Sequence, residues 1–177
     1  IHDADILEFY PNLTADIERL SYAAIFFEIV NKMTLPKICE VGIYNLIVNA
    51  LPTISKKNPQ IAALISIAQF MEFTGFQLNF SKCVRCGKNI IGNASLSFTE
   101  GGAICESCSR GTVQGFRYPE SLRLTFETLL SFDWRTENQI TFHQRQIYAA
   151  EKILFRYVQN ILGQELKSIN FLRQIQG

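Results

Sequence analysis

Two short C-x2-C pairs constrain this chain more than any other feature: Cys83-Val84-Arg85-Cys86 and Cys105-Glu106-Ser107-Cys108, with eighteen residues between them. That spacing lies in the range of four-thiolate zinc sites. A C-x2-C turn aims two sulfurs at one point, and Gly87 directly after the first pair suits a tight knuckle. Two knuckles brought together by a hairpin complete a tetrahedron with Zn–S distances of about 2.3 Å. Four thiolates leave no open coordination position, so the predicted zinc is structural and not catalytic. An insert of about thirty residues has almost no core of its own, and metal binding, worth ~10–16 kcal/mol in isolated fingers, decides whether it folds. Two disulfides or a redox pair are the alternatives, but no thioredoxin-like βαβ context surrounds the cysteines. An iron–sulfur site would call for a cluster of three cysteines. The fifth cysteine, Cys39, stands apart near Ile38 and Val41 and reads as a small buried apolar residue.

Around this insert the chain reads as helices. From Leu13 to Met33 the apolar positions Ile17, Leu20, Ala24 and Phe27 recur at steps of three and four, and Phe26, Ile29, Val30 and Met33 form a second set. The expectation is a helix packed on more than one side, with Asp16 and Glu18 at its start. A second helix is predicted from near Pro36, burying Ile43, Leu46, Ile47, Ala50 and Leu51 before Pro52 stops it. Pro59 opens a third that runs to about Gln77. Its stretch Ile61 to Phe80 carries one formal charge, Glu72, yet Ser66, Gln69, Thr74, Gln77 and Asn79 interrupt it, so a central buried helix is expected rather than a membrane span.

Between Phe80 and Ser109 the texture changes. Ser95 to Thr99 alternates like a strand, Gly101-Gly102 supplies a turn, and Ala103-Ile104-Cys105 returns. Helices resume at Pro119 with Leu122, Phe126 and Leu129 inward. The clearest spans His143 to Leu162, where Ile147, Ala150, Leu154, Tyr157 and Ile161 keep the period and Gly163 stands at the cap position. A last helix covers about Ser168 to Ile175. The predicted fold is mainly α: a helical bundle with a small inserted four-cysteine zinc finger containing a β-hairpin. Its parts are N-terminal helices over 1–79, the insert over 80–109, and C-terminal helices over 110–177.

Enzyme signatures are missing. The two histidines, His2 and His143, stand far apart, and no H-E-x-x-H, G-x-S-x-G or phosphate-loop pattern occurs. Neither C-x2-C follows a proline, as a zinc deaminase would require. The chain is therefore expected not to be an enzyme. With 17 Lys+Arg against 16 Asp+Glu it also cannot hold nucleic acid by bulk charge. Four thiolates and one zinc ion would move the net charge from +1 to about −1. Anion binding must then come from local clusters. Residues 110–177 hold nine basic and six acidic side chains, against five and seven in 1–58. Arg145, Lys152 and Arg156 share one stripe of the clear helix, at steps of seven and four. Lys82, Arg85 and Lys88 bracket the first knuckle, and Arg110 and Arg117 follow the second. Cations beside a rigid knuckle suit phosphate contacts, while the plain alternative is a solvated surface.

The run Glu72-Phe73-Thr74-Gly75-Phe76, then Cys83-Val84-Arg85-Cys86-Gly87, then Phe98 and Gly101-Gly102-Ala103-Ile104-Cys105-Glu106-Ser107-Cys108 resembles the bacterial RecO family of recombination mediators. Ala23 to Glu28 and the closing Glu165 to Leu172 are similar to that family's first and last helices. The resemblance implies the four cysteines as metal ligands and an upstream OB-fold. With no initiator Met, the chain reads as a C-terminal fragment. It further implies a cytoplasmic, nucleoid-associated protein that binds single- and double-stranded DNA, anneals strands, and works with RecR. Such a protein helps load RecA onto DNA coated by single-strand-binding protein, whose acidic, apolar-ended C-terminal tail the helical region accepts. No basic residue is assigned by the resemblance; the Arg145, Lys152 and Arg156 stripe is the candidate drawn from chemistry, since cations beside an apolar groove suit that tail. The competing class is a zinc-finger protein–protein module such as a small-GTPase regulator, for whose catalytic arginine Arg110 is a poor positional match.

Overall fold

A computed structural model of the chain describes residues 6, 8–35, 40–110, 116–136 and 141–176. The described residues are mainly helical, with one small antiparallel sheet. They divide into two compact units, residues 1–66 with 165–177, and residues 67–164.

In the first unit, a short α1 (Pro11–Ala15) breaks at Asp16, which caps α2 (Ile17–Met33) by accepting from the N–H groups of Glu18 and Arg19. The inward face of α2 is Tyr22, Ile25, Phe26 and Ile29, all fully buried. The set expected from Ile17, Leu20 and Phe27 is instead exposed, at 56%, 45% and 38%. α2 is apolar almost all round, so periodicity could not choose its buried side.

The next helix, α3 (Val41–Lys56), passes through Pro52 rather than stopping there. A helix-interior proline costs about 3 kcal/mol. The turn beyond it survives because Ile54 and Ser55 are buried and because Arg19 Nη1 donates to the carbonyls of Ile54 and Lys57 at 2.7 and 2.6 Å. The predicted start near Pro36 and the side chain of Cys39 lie outside the described residues. At the far end of the chain, α8 (Lys167–Gln176) is seated on α2 by Glu28. Its carboxylate accepts from the N–H groups of Lys167 and Ser168 and from the Ser168 hydroxyl, at 3.2, 2.9 and 2.5 Å.

Asn58 opens α4 (Pro59–Phe73) by accepting from the Ile61 N–H. Every residue from Ala62 to Met71 except Gln69 is buried, as a helix apolar on all sides requires. No described helix is long and apolar enough to cross a membrane. α4 ends at Phe73 and does not reach Gln77. Gly75 takes a φ of 77°, its N–H bonds Glu72 O and the Phe76 N–H bonds Met71 O, a paired closure that spends the last carbonyls.

In the second unit, β1 (Ala94–Ser97) pairs with β2 (Gly102–Cys105) as the predicted hairpin. A third strand, β3 (Phe116–Tyr118), adds to the other edge of β1, giving the order β2-β1-β3. Sequence reasoning did not foresee it, because three residues carry no alternation that can be read. α5 (Glu106–Ser109) follows β2. α6 (Glu120–Leu130) and α7 (Gln144–Leu162) pack on each other, with Gly163 left-handed at the α7 cap. The core beneath the sheet is aromatic: Phe80 stacks on Phe126 at 4.0 Å and lies 5.8 Å from Tyr118.

Candidate functional site

The first knuckle is a miniature hairpin. The Cys83 N–H bonds Lys88 O, the Gly87 N–H bonds Cys83 O, and the Ile90 N–H bonds Ser81 O. Asn79 and Val84 then join it to β2, through bonds from the Ala103 N–H to Asn79 O and from the Val84 N–H to Ala103 O. This approach is so close that a Cβ on Gly102 would lie 2.5 Å from the Asn79 carbonyl oxygen, so only glycine fits. The second knuckle is set by Cys105 at the end of β2 and by Cys108 one turn into α5.

The four Sγ atoms lie within 4.8 Å of one another, and Cys86 and Cys105 are 3.8 Å apart. A tetrahedron with metal–sulfur bonds of about 2.3 Å has edges of about 3.8 Å, so the donor set fits a metal ion and is too open for a disulfide. Burial opposes ionisation of Cys83, but the N–H groups of Cys105, Cys86 and Arg85 hold its thiol below the ordinary range. Ser107 and the Cys108 N–H bring Cys105 down to about 6, whereas Cys108, which shares its proton with Cys105, is pushed up to about 12. Metal binding to such a set requires thiolates, and the N–H and hydroxyl donors around Cys83 and Cys105 favour that form.

Of the cations expected near the knuckles, Arg85 is engaged inside the finger. Its guanidinium donates to both Glu100 oxygens at 2.8 Å and to the Cys108 carbonyl at 2.7 Å. It therefore ties the first knuckle to the hairpin turn and to the second knuckle, and it holds the Glu100 carboxyl below its usual range. Lys82, Lys88 and Arg110 are exposed around the finger.

Arg117 belongs elsewhere. On β3 it lines a groove of about 590 Å³ together with Arg145, Lys152 and Arg156, the stripe expected on α7. Phe116, Pro119, Leu122, Ala149 and Ile153 supply apolar lining. The Arg156 guanidinium lies 4.8 Å from the Phe116 ring centre and Lys152 Nζ lies 5.9 Å from that of Tyr148. The apolar members were not foreseen as site residues. Phe116-Arg117 ahead of Pro119 was their one local trace.

The chain resembles known proteins along nearly its whole length. It is 24% identical over 177 residues to the DNA repair protein RecO of Caldicellulosiruptor bescii, covering 99% of this chain and 72% of that one. It is 23% identical over 181 residues to the protein of that name from Moorella thermoacetica, covering 100% and 67%. The corresponding protein of Acetivibrio thermocellus is 21% identical over 179 residues. The family model described as "Recombination protein O C terminal" matches residues 14–169, and with that span covered the chain belongs to the RecO family.

Proposed function

We propose that this chain is the helical, finger-bearing part of a non-enzymatic mediator of DNA repair and homologous recombination in the bacterial cytoplasm. Family membership favours this class over a regulator of small GTPases. In this reading the four thiolates hold structural zinc. The protein binds single- and double-stranded DNA, works with RecR, and takes the acidic C-terminal tail of single-strand-binding protein, supporting strand annealing and RecA loading at the nucleoid.

One observation carries the partner assignment: four cations from two elements, Arg117, Arg145, Lys152 and Arg156, share one groove with an apolar lining. A run of carboxylates followed by an apolar end matches that arrangement, rim to charge and floor to side chain. DNA contacts fall to Lys82, Lys88 and Arg110, exposed around the finger.

The test separates the two surfaces. Reversing Arg145, Lys152 and Arg156 to glutamate should abolish binding of a tail peptide, read by fluorescence anisotropy, while oligonucleotide binding persists. Neutralising Lys82, Lys88 and Arg110 should weaken DNA binding and flatten its salt slope, by about two units if each meets one phosphate of a single strand. Loss of peptide and DNA together from the α7 variant alone would assign the groove to DNA.

A further inference from the structure

The groove and the cysteine cluster share one sheet. Across it, Cys105 of β2 stands opposite Ala94 of β1, which stands opposite Tyr118 of β3. The neighbouring rows are Ile104, Ser95 and Arg117, then Ala103, Leu96 and Phe116. The strand that carries a metal ligand therefore lies two strand spacings, about 10 Å, from the strand that lines the groove. The strands are four, four and three residues long, so the sheet depends on what packs against it and cross-links it. Two rings tie this sheet to α7. Phe98, the first residue after β1, lies 5.0 Å from Phe116 and 5.3 Å from Tyr157 of α7, ring centre to ring centre. Phe116 in turn lies under Arg156.

We propose that metal loading of the finger sets the affinity of the α7 groove for its acidic peptide, with Phe98 and Phe116 as the positioning residues that transmit it. The inference rests on the reading of that groove as a peptide site. Its physics is order in one wall. With the metal bound, β2 is fixed, β1 is registered on β2, and β3 presents Phe116 and Arg117 to the cations of α7. Without it the sheet keeps the core under Tyr118 but β2 loses its tie to the knuckles, the Phe116 ring shifts from Arg156, and the groove keeps α7 but loses the order of its facing side. Phe98 does not line the groove. It serves as the strut between sheet and helix.

The experiment uses the whole chain and a labelled synthetic peptide carrying several aspartates and a C-terminal phenylalanine. Zinc-loaded protein, protein stripped by chelator, and stripped protein given zinc again are titrated in parallel. Stripping should weaken binding about tenfold and zinc should restore it. Zinc-loaded Phe98→Ala should bind comparably weakly with its metal content and helical circular dichroism unchanged, and Phe98→Tyr should bind as the wild type does. If stripping unfolds the helices, metal control of the folded groove fails, and the zinc-loaded Phe98→Ala protein then tests the strut alone. Equal affinity in loaded and stripped wild type with its helices intact, or in loaded wild type and loaded Phe98→Ala, would overturn the coupling and leave the groove reading intact. Failure of the loaded wild type to bind at all would overturn the groove reading and the coupling with it.

Discussion

The finger and the first helical unit solve the same problem by opposite means. The helices of residues 17–66 and 167–176 hold by burial, with Tyr22, Ile25, Phe26, Ile29 and Ile54 fully enclosed and side-chain caps at their ends. The finger is a much shorter stretch, with strands of four residues and a helix of four, and it is tied by a ladder of short backbone bonds, one bidentate ion pair and four sulfurs placed to hold one metal ion. The difference teaches where each is vulnerable. A buried core spreads its stability over many contacts, whereas a chelate concentrates it in four atoms.

The most severe way to break the contrast is Cys83→Ser. With zinc held as proposed, it removes the one buried sulfur of the four, and with it most of a metal-linked free energy of roughly 10 kcal/mol or more. Hydrogen exchange should then become fast over residues 80–110 and stay slow over α2, and equal loss in both would refute the separation. The reciprocal change is Phe26→Ala, a cavity in the helical core that should cost about 3–5 kcal/mol in global unfolding. Its zinc content should remain one ion per chain.

A smaller effect is expected at Glu28→Gln, which weakens the seat of α8 by about 1–3 kcal/mol in urea unfolding. Burial opposes ionisation of Glu28, but the hydrogen bonds of Ser168 and Lys167 and the nearby Lys32 outweigh it, so its carboxyl titrates below 4.5. A value depressed on folding means stabilisation that is complete above pH 4.5 and lost as the pH falls through the lower folded value. The wild type should show that acid-side loss and Glu28→Gln should lack it. The smallest expected effect is at Glu100→Gln. Its pair with Arg85 is exposed, so the melting temperature should hold while chelator extracts zinc faster. An unchanged extraction rate would show that the pair does not brace the finger.

What could be read in the sequence was what is local. The two cysteine pairs and the period of α7 with Gly163 at its end are written within a few residues, and the structure follows them. What escaped depends on partners far along the chain. β3 exists because β1 is there to pair with it, and Arg117 joins the α7 cations because that pairing carries it to them. Arg85 looked free because Glu100 lies fifteen residues away. Pro52 looked like a stop because the arginine that secures the following turn sits on another helix.

The bonds from Glu28 to the start of α8 span about 140 positions of sequence. The unit containing residues 1–66 is thus assembled from two segments separated along the chain, with the finger-bearing segment made in between. On the ribosome, where compact units fold as they emerge, residues 67–164 are all made before α8 exists to complete the unit begun first. The helices of residues 17–66 must wait for α8, and a chain truncated before Lys167 would leave α2 without its closing partner however well the middle had folded.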